Sequence, residues 1–288
     1  MNFILRVGLP LTSGPKKNFH KIETLMLPLN WGDRLSLKVQ GAENTQIFLK
    51  SKNLKLNPKK NLVYRAAELF SKQMKVNFRA EIQLIKNVPT GAGLGGGSSD
   101  AAKTLELLAN WYLTSGGSRA RLKKNLHSMA AKLGSDIPFF LKNTPAWCTG
   151  FGEKCDWLSP GNSWPLVLVL PTQKVPTPWA YRELDRAREK YQSVQMKRDF
   201  PKWIFDSEIK IPKLENDFEE IIFKLKPALK NAAKVLAQFG ALAVRMSGSG
   251  SSFFGVYESE AVAKKAAAQI RRKKIKALFV KATGVAPK

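Results

Sequence analysis

The chain is short of acid and has almost nothing that could cross-link it or hold a metal. Its 288 residues include 22 Asp and Glu against 48 Lys and Arg, with two Cys and two His. Cys148 and Cys155 are too few for a disulfide framework and have no histidine cluster beside them to make a zinc site, so both are read as thiols. No apolar run reaches the ~20 residues of a membrane span. The opening Met1-Asn2-Phe3-Ile4-Leu5-Arg6-Val7 is too short for a signal peptide. A disulfide scaffold and a helical membrane protein are thereby excluded, and the expected location is the cytoplasm, with no membrane partner. The shortage of acid leaves a formal charge of +26, which draws a protein toward polyanions. The bases are spread along the chain, clustering only at Lys59-Lys60 and Arg271-Arg272-Lys273-Lys274. They are read as a solvated surface, with nucleic acid as the second reading. Hydrophobic residues at 44% and a length sufficient for two domains fit a globular chain. There is no internal repeat or low-complexity segment.

What the chain does have is glycine in one place. Pro89-Thr90-Gly91-Ala92-Gly93-Leu94-Gly95-Gly96-Gly97-Ser98-Ser99 puts five glycines in seven positions, a poor composition for the interior of a strand or helix, because glycine loses the most backbone entropy on ordering. Before it, Ala80 to Ile85 alternates as a half-buried strand does. After it, Ala101, Leu105, Leu108 and Tyr112 fall at helical spacing. Ser98, Ser99 and Asp100 offer side-chain oxygens where this helix is expected to start. A bare loop feeding a helix N-terminus presents unpaired N–H groups and the positive end of the helix dipole to an anion, usually phosphate. A flexible linker would not usually have a strand before it and an amphipathic helix after it. The GxGxxG pattern is satisfied, but Trp111 and Tyr112 stand where a dinucleotide site needs an acidic residue. Gly97 stands where a P-loop needs Lys, which excludes that motif.

Pro89-x-x-x-Gly93-Leu94-Gly95-x-x-Ser98-Ser99, followed by a small-residue helix, resembles the ATP-binding motif of the GHMP small-molecule kinases. Further segments resemble that family in order along the chain. The resemblance implies an α+β two-domain fold, with an N-terminal ribosomal-protein-like α/β domain and a C-terminal ferredoxin-like α+β domain. The domains are expected at residues 1–155 and 156–288. It also implies an ATP-dependent kinase using Mg²⁺, with an alcohol of a cytidine-diphosphate small molecule of isoprenoid-precursor synthesis as substrate. Pro89, Gly91, Gly93, Leu94, Gly95, Gly96, Gly97, Ser98 and Ser99 would hold the ATP phosphates. No residue is assigned to the metal, and the oligomeric state is left open.

The other segments carry the remaining assignments. Asn2-Phe3-Ile4-Leu5 matches the end of a Pro-Ala-Lys-x-Asn motif and the strand after it, which makes Asn2 a substrate contact. The motif's Lys would fall before Met1. Either the true start lies upstream, which is the reading adopted, or a catalytic group has been lost. Lys17 to Thr24 resembles Asp-Gly-Tyr-His-x-(Ile/Leu)-x-(Ser/Thr), with Lys17, Asn18 and Phe19 as departures. Phe19 would stack on the base and His20 would hydrogen-bond its edge or a phosphate, although a single His is also a common structural residue. Asn61, in Asn61-Leu62-Val63-Tyr64-Arg65-Ala66-Ala67, would lie near adenine, or serve only as a helix cap. Val63, Ala66, Ala67, Phe70 and Met74 share one face of the helix that follows. Gly134-x-Asp136-Ile137-Pro138 resembles the catalytic Asp motif. It is expected at a helix-to-strand junction, because proline biases its predecessor toward extended geometry; a turn-forming Asp is the local alternative. Thr149 to Lys154 resembles a turn lying near the diphosphate. Val175 to Tyr181 resembles a segment whose aromatic, Tyr181, stacks on the base opposite Phe19, with ordinary packing as the alternative. Leu214 to Glu219 matches Asn-Asp-(Phe/Leu)-Glu, with a helix expected onward to about Phe239. Arg182 to Phe200 reads as a charged helical excursion. Gly248, Ser249 and Gly250 lie in a third small-residue loop between strands at Ala243–Met246 and Phe253–Tyr257, and resemble the family's Ser-Gly-(Ser/Thr)-Gly that closes over the phosphate loop. The rival functions are a GHMP kinase for a different alcohol, and a basic nucleic-acid-binding protein with a decayed site.

Overall fold

A computed structural model describes residues 1–52, 57–191, 201, 202, 206 and 212–286. In chain order the elements are β1 (Asn2–Pro10), β2 (His20–Met26), β3 (Arg34–Gly41), β4 (Gln46–Lys52), α1 (Leu62–Met74), β5 (Phe78–Ile85), α2 (Gly96–Thr114), α3 (Arg119–Leu133), α4 (Ile137–Phe140), β6 (Ala146–Thr149), β7 (Lys154–Trp157) and β8 (Pro160–Val169). They continue as α5 (Thr177–Tyr191), β9 (Glu215–Asn216), α6 (Glu219–Leu225), α7 (Pro227–Gln238), β10 (Ala243–Met246), β11 (Phe253–Val256), α8 (Glu260–Arg272) and β12 (Ala277–Val285). The chain divides into two compact units: Met1–Trp31, Gly91–Leu94 and Thr144–Lys288 form the first, and Gly32–Thr90 and Gly95–Asn143 the second. It passes from one to the other inside the glycine stretch.

The second unit is a three-stranded sheet, ordered β3-β5-β4, covered on one face by helices. β5 alternates strictly, with Phe78, Ala80, Ile82 and Leu84 buried and Arg79, Glu81, Gln83 and Ile85 turned out. That is the period-2 pattern of a sheet with one solvated face. Its buried side meets Val63, Ala66, Ala67, Phe70 and Met74 of α1 and Leu105, Leu108 and Tyr112 of α2 in one core. Asn61 caps α1 through a 3.0 Å bond accepted by its side-chain oxygen from the Val63 amide, and Lys75 ends that helix in the left-handed region. α3 starts at Arg119 with Ser118 as its cap.

The first unit holds two sheets. One is ordered β7-β6-β2-β1-β9 and the other β10-β11-β8-β12. Leu166, Val167, Leu168 and Val169 of β8 are all buried, between β11 on one side and β12 on the other. β12 is the edge strand of this sheet, running from Ala277 to Val285. The helix anticipated from Glu219 to Phe239 is two helices. Pro227 forces Lys226 out of the α region, at φ −134° and ψ 68°, and α6 stops there. Of the Arg182 to Phe200 excursion, residues 182–191 are helical in α5 and 192–200 lie outside the described residues. Among the described residues no helix is long and apolar enough to cross a membrane.

Leu105 lies fully buried between the helices and the sheet of the second unit. Leu105→Ala should lower unfolding stability by about 2–5 kcal/mol, the usual cost of a cavity at such a site, measured by thermal and denaturant unfolding.

Candidate active site

In the first unit, Gly91–Leu94 lies against the third small-residue loop. The Ser247 hydroxyl donates to the Gly93 carbonyl at 2.8 Å, and the Ser252 amide donates to the Ala92 carbonyl at 3.2 Å. A Cβ on Gly93 would stand 2.8 Å from the Gly250 carbonyl oxygen and closer still to that of Ser247, at φ +73°. No side chain fits there. The loop is held from outside by residues that sequence reading missed. The Asn216 amide donates to the Met246 and Gly248 carbonyls at 2.7 and 2.8 Å. Glu219 accepts from the Met246 amide and from Arg245, both at 2.7 Å. Burial raises the Glu219 carboxyl above the ordinary range, opposed chiefly by Arg245. Thr177 and Ser249 share a hydroxyl–hydroxyl bond of 2.8 Å. Asn2 donates to Thr24 at 2.8 Å, and its side-chain oxygen lies 3.5 Å from a Cβ built on Gly248.

The aromatic residues belong to the same unit. His20 stacks obliquely on Tyr181, centroids 4.8 Å apart, and Tyr181 meets Phe218 edge-on at 4.9 Å. His20 is buried and both ring nitrogens are engaged. Nδ1 lies 2.8 Å from the Gly8 carbonyl, which can only accept, so that nitrogen carries the proton. Nε2 lies 3.3 Å from Asp185. Desolvation raises the Asp185 carboxyl, against the pull of His20 and Arg188. Phe19 is different: it is 58% exposed and touches Phe151 edge-on at 6.1 Å, while the Lys16 ammonium sits 3.7 Å above the Phe151 ring. The Phe151 amide donates to Glu153 at 2.7 Å, closing the turn. In the adjoining strands Cys148 pairs directly with Cys155, the sulfurs 3.1 Å apart as thiols.

In the second unit, α2 begins at Gly96, two residues before the Ser-Ser-Asp expected to cap it. Gly95 is the N-cap, left-handed at φ 68°, with no side-chain cap bond. The Ser99 hydroxyl instead donates to the Gly96 carbonyl inside the first turn, and Asp100 is buried. The physical reason is packing. A Cβ on Gly95 would lie 2.7 Å from the Phe140 ring, and one on Gly96 would lie 2.9 Å from Val88. The first-turn amides of Gly96, Gly97 and Ser98 are therefore left without intrahelical or side-chain acceptors, as an anion site requires. Pro89 is half-buried just ahead of the loop, and a Cβ built on Gly97 would lie 3.6 Å from Leu62, the residue after the Asn61 cap. Asp136 lies at the N-cap of α4, with φ −84° and ψ −13°, and not at a helix-to-strand junction. Pro138 falls in the first turn of a helix, where its missing N–H costs nothing. The carboxylate makes no capping bond. Desolvation raises it above the ordinary carboxylate range, and a hydrogen bond to Ser135 opposes that shift.

A run of left-handed glycines opening an uncapped helix, with a desolvated carboxylate at the start of the short helix packed against it, suits an anion-binding enzyme site, and the class is that of the GHMP small-molecule kinases. Residues 61–143 match the GHMP kinases N terminal domain and residues 208–276 the GHMP kinases C terminal domain, and kinases of this class are ATP-dependent. The chain belongs to the 4-diphosphocytidyl-2-C-methyl-D-erythritol kinase family. It is 36% identical over 267 residues to the protein of that name from Chlorobaculum tepidum, covering 91% of this chain and 90% of the relative. It is 36% identical over 277 residues to that of Anaeromyxobacter dehalogenans, covering 94% and 82%. The crystal structure of a 4-(cytidine 5'-diphospho)-2C-methyl-D-erythritol kinase superposes with a TM-score of 0.80 at 31% identity, covering 98% of this chain and 96% of that one.

Gly91 and Gly93 separate two costs. Both are left-handed, at φ +72° and +73°, but a Cβ on Gly91 meets nothing within 4 Å. Gly91→Ala should cost only the conformational ~1–2 kcal/mol. Gly93→Ala should cost at least about 2 kcal/mol more, because backbone rather than a flexible side chain must move. Denaturant unfolding of the two variants side by side reads the difference.

Proposed function

We propose that this chain transfers the γ-phosphoryl group of ATP to the 2-hydroxyl of 4-diphosphocytidyl-2-C-methyl-D-erythritol, in the cytoplasm, as a step of non-mevalonate isoprenoid precursor synthesis. The observation that carries the reading is the start of α2: an uncapped helix opening on Gly95, with Phe140 of α4, the helix that begins directly after Asp136, packed against that glycine. The amides of Gly95 to Ser99, with Pro89, Gly91, Gly93 and Leu94 shaping the approach, receive the phosphates. Asn61 lies toward the adenine in addition to capping α1. Phosphoryl transfer needs little covalent help, so positioning and charge neutralisation supply most of the acceleration.

Asp136 accepts the proton of the attacking hydroxyl. A carboxylate spent on a capping bond would be a weaker base, and a desolvated one is a stronger base. Phe19 offers an open ring face to the pyrimidine, and Tyr181 supplies the second aromatic. His20, with both nitrogens engaged, holds the Tyr181 ring and so acts on the substrate through it. Asn2 and the Gly248-Ser249-Gly250 loop contact the substrate's phosphate end. Mg²⁺ carried by the nucleotide would supply charge neutralisation at the phosphates, an arrangement that asks the protein for only one or two ligands. The family's two domains are proposed to meet near residue 155, between the two matched ranges.

The test is ATP-dependent phosphorylation of this alcohol by the chain as it stands, beside a chain extended upstream through a Pro-Ala-Lys motif. Turnover by either supports the reading, and turnover by neither overturns the substrate assignment. Asp136→Asn should lower kcat by roughly 10²–10⁴ with small changes in either KM. The sign with pH follows from the base role. Only the ionised carboxylate accepts a proton, so kcat falls as pH falls through the raised pKa of Asp136, at a higher pH than for an ordinary carboxylate. An Asp136→Asn enzyme with undiminished kcat would remove Asp136 from the chemistry.

A further inference from the structure

Beneath the start of α2 in the second unit lies a buried ion triad to which neither the sequence motifs nor the family resemblance assigns a role. Lys86, one residue beyond β5, places its ammonium between the carboxylates of Asp33 and Asp100, at 2.8 Å from Asp100 and in direct contact with Asp33. The side chains of Lys86, Asp33 and Asp100 are 9%, 2% and 6% exposed. The other oxygen of Asp33 accepts from the backbone amides of Asn87 and Val88 at 2.6 and 2.9 Å, and the Asn87 side chain donates to the Gly32 carbonyl at 2.9 Å. A Cβ on Gly96 would stand 3.3 Å from Asp33. The network therefore binds the chain entering the glycine stretch, at residues 86–88, to the first turns of the helix leaving it, at Asp100.

We propose that Lys86 is a positioning residue for nucleotide binding: by tying Asp33 and Asp100 together, it fixes the register of Val88 against Gly96 and so the direction of the unpaired amides at 96–98. The inference rests on the reading that these amides hold the ATP phosphates. Three charges buried together are costly, and here two carboxylates face one ammonium. Desolvation pushes Asp100 up to about 6, and Lys86 is what opposes the shift most. A core site with no positional task is filled more favourably by apolar side chains of the same volume. The five glycines of the stretch contribute no side chains to fix its path. An electrostatic clamp on both of its flanks supplies what its own residues lack.

The test uses the full chain with Lys86→Met, Lys86→Arg and Asp100→Asn, and two readouts: hydrogen exchange of peptides spanning residues 89–99, and the separate kinetic constants for ATP and for the alcohol. Lys86→Met should speed exchange across the stretch and raise KM for ATP by about tenfold, leaving kcat and the KM for the alcohol within about threefold. Lys86→Arg, which keeps the cation, should recover most of the loss. Asp100→Asn, which leaves the Lys86–Asp33 pair and removes the surplus negative charge, should shift both readouts in the same direction but less, at a melting temperature near that of the parent. If Lys86→Met does not fold, Asp100→Asn carries the test. Unchanged exchange and an unchanged KM for ATP in a folded variant overturn the proposal. Equal losses in both KM values and kcat would make the triad merely structural and also overturn it. Failure of the parent chain to bind a fluorescent ATP analogue would overturn the nucleotide reading instead, and the exchange readout would still decide whether Lys86 fixes the stretch.

Discussion

The structure depends on close backbone approach along the glycine stretch. At Gly93 the obstacle is backbone, the carbonyls of Ser247 and Gly250; at Gly95 it is the Phe140 ring; at Gly96 it is Val88. Each glycine is thus specified by a different neighbour, in one unit for Gly93 and in the other for Gly95 and Gly96. Three distinct packing demands in four residues explain why a segment so entropically unfavourable is kept, and why it is not a linker. The same demands leave α2 without a side-chain cap, because the position that would carry one has no room for a Cβ. The uncapped amides at the start of α2 follow from the packing.

Buried charge in this basic chain follows a consistent rule. Arg6 is gripped by Glu215 through two bonds of 2.9 Å, Arg188 reaches Asp217 and the carbonyls of Val7 and Gly8, Arg245 pairs with Glu219, and Lys86 bridges two aspartates. The acids are few, and these four cations engage acids at positions that anchor loops. Glu215, Asn216, Asp217 and Glu219 all belong to the short segment leading into α6. Between them they hold Arg6, the Ser247 loop and Arg245. That segment reads in sequence as a family signature with no evident chemistry. In the fold it is the brace behind the third loop.

What was legible in the sequence was whatever depends on local periodicity or on a backbone that only glycine can adopt. The alternation of β5, the buried face of α1, the apolar run of β8 and the glycine stretch itself all belong to that class. What escaped depends on partners distant in sequence. Asp100 looks like a capping residue until Lys86 and Asp33 are seen around it. Asp185 sits in a charged helical run, and only the fold brings it to His20. The break at Lys226 was readable from Pro227, but the apolar spacing of the flanking helices masks it. Asp136 stands before a helix and not a strand because Pro138, which disfavours helix in its predecessor when it follows one, here falls in the first turn of a new helix.

The engagement of His20 changes how the aromatic residues are to be understood. An exposed histidine could hydrogen-bond a base directly, whereas this one donates Nδ1–H to the Gly8 carbonyl, turns Nε2 to Asp185 and lays its ring on Tyr181. Phe19, in contrast, is 58% exposed and meets Phe151 edge-on at 6.1 Å. The two aromatic residues therefore differ in setting, Tyr181 packed against the core beside His20 and Phe19 at the surface.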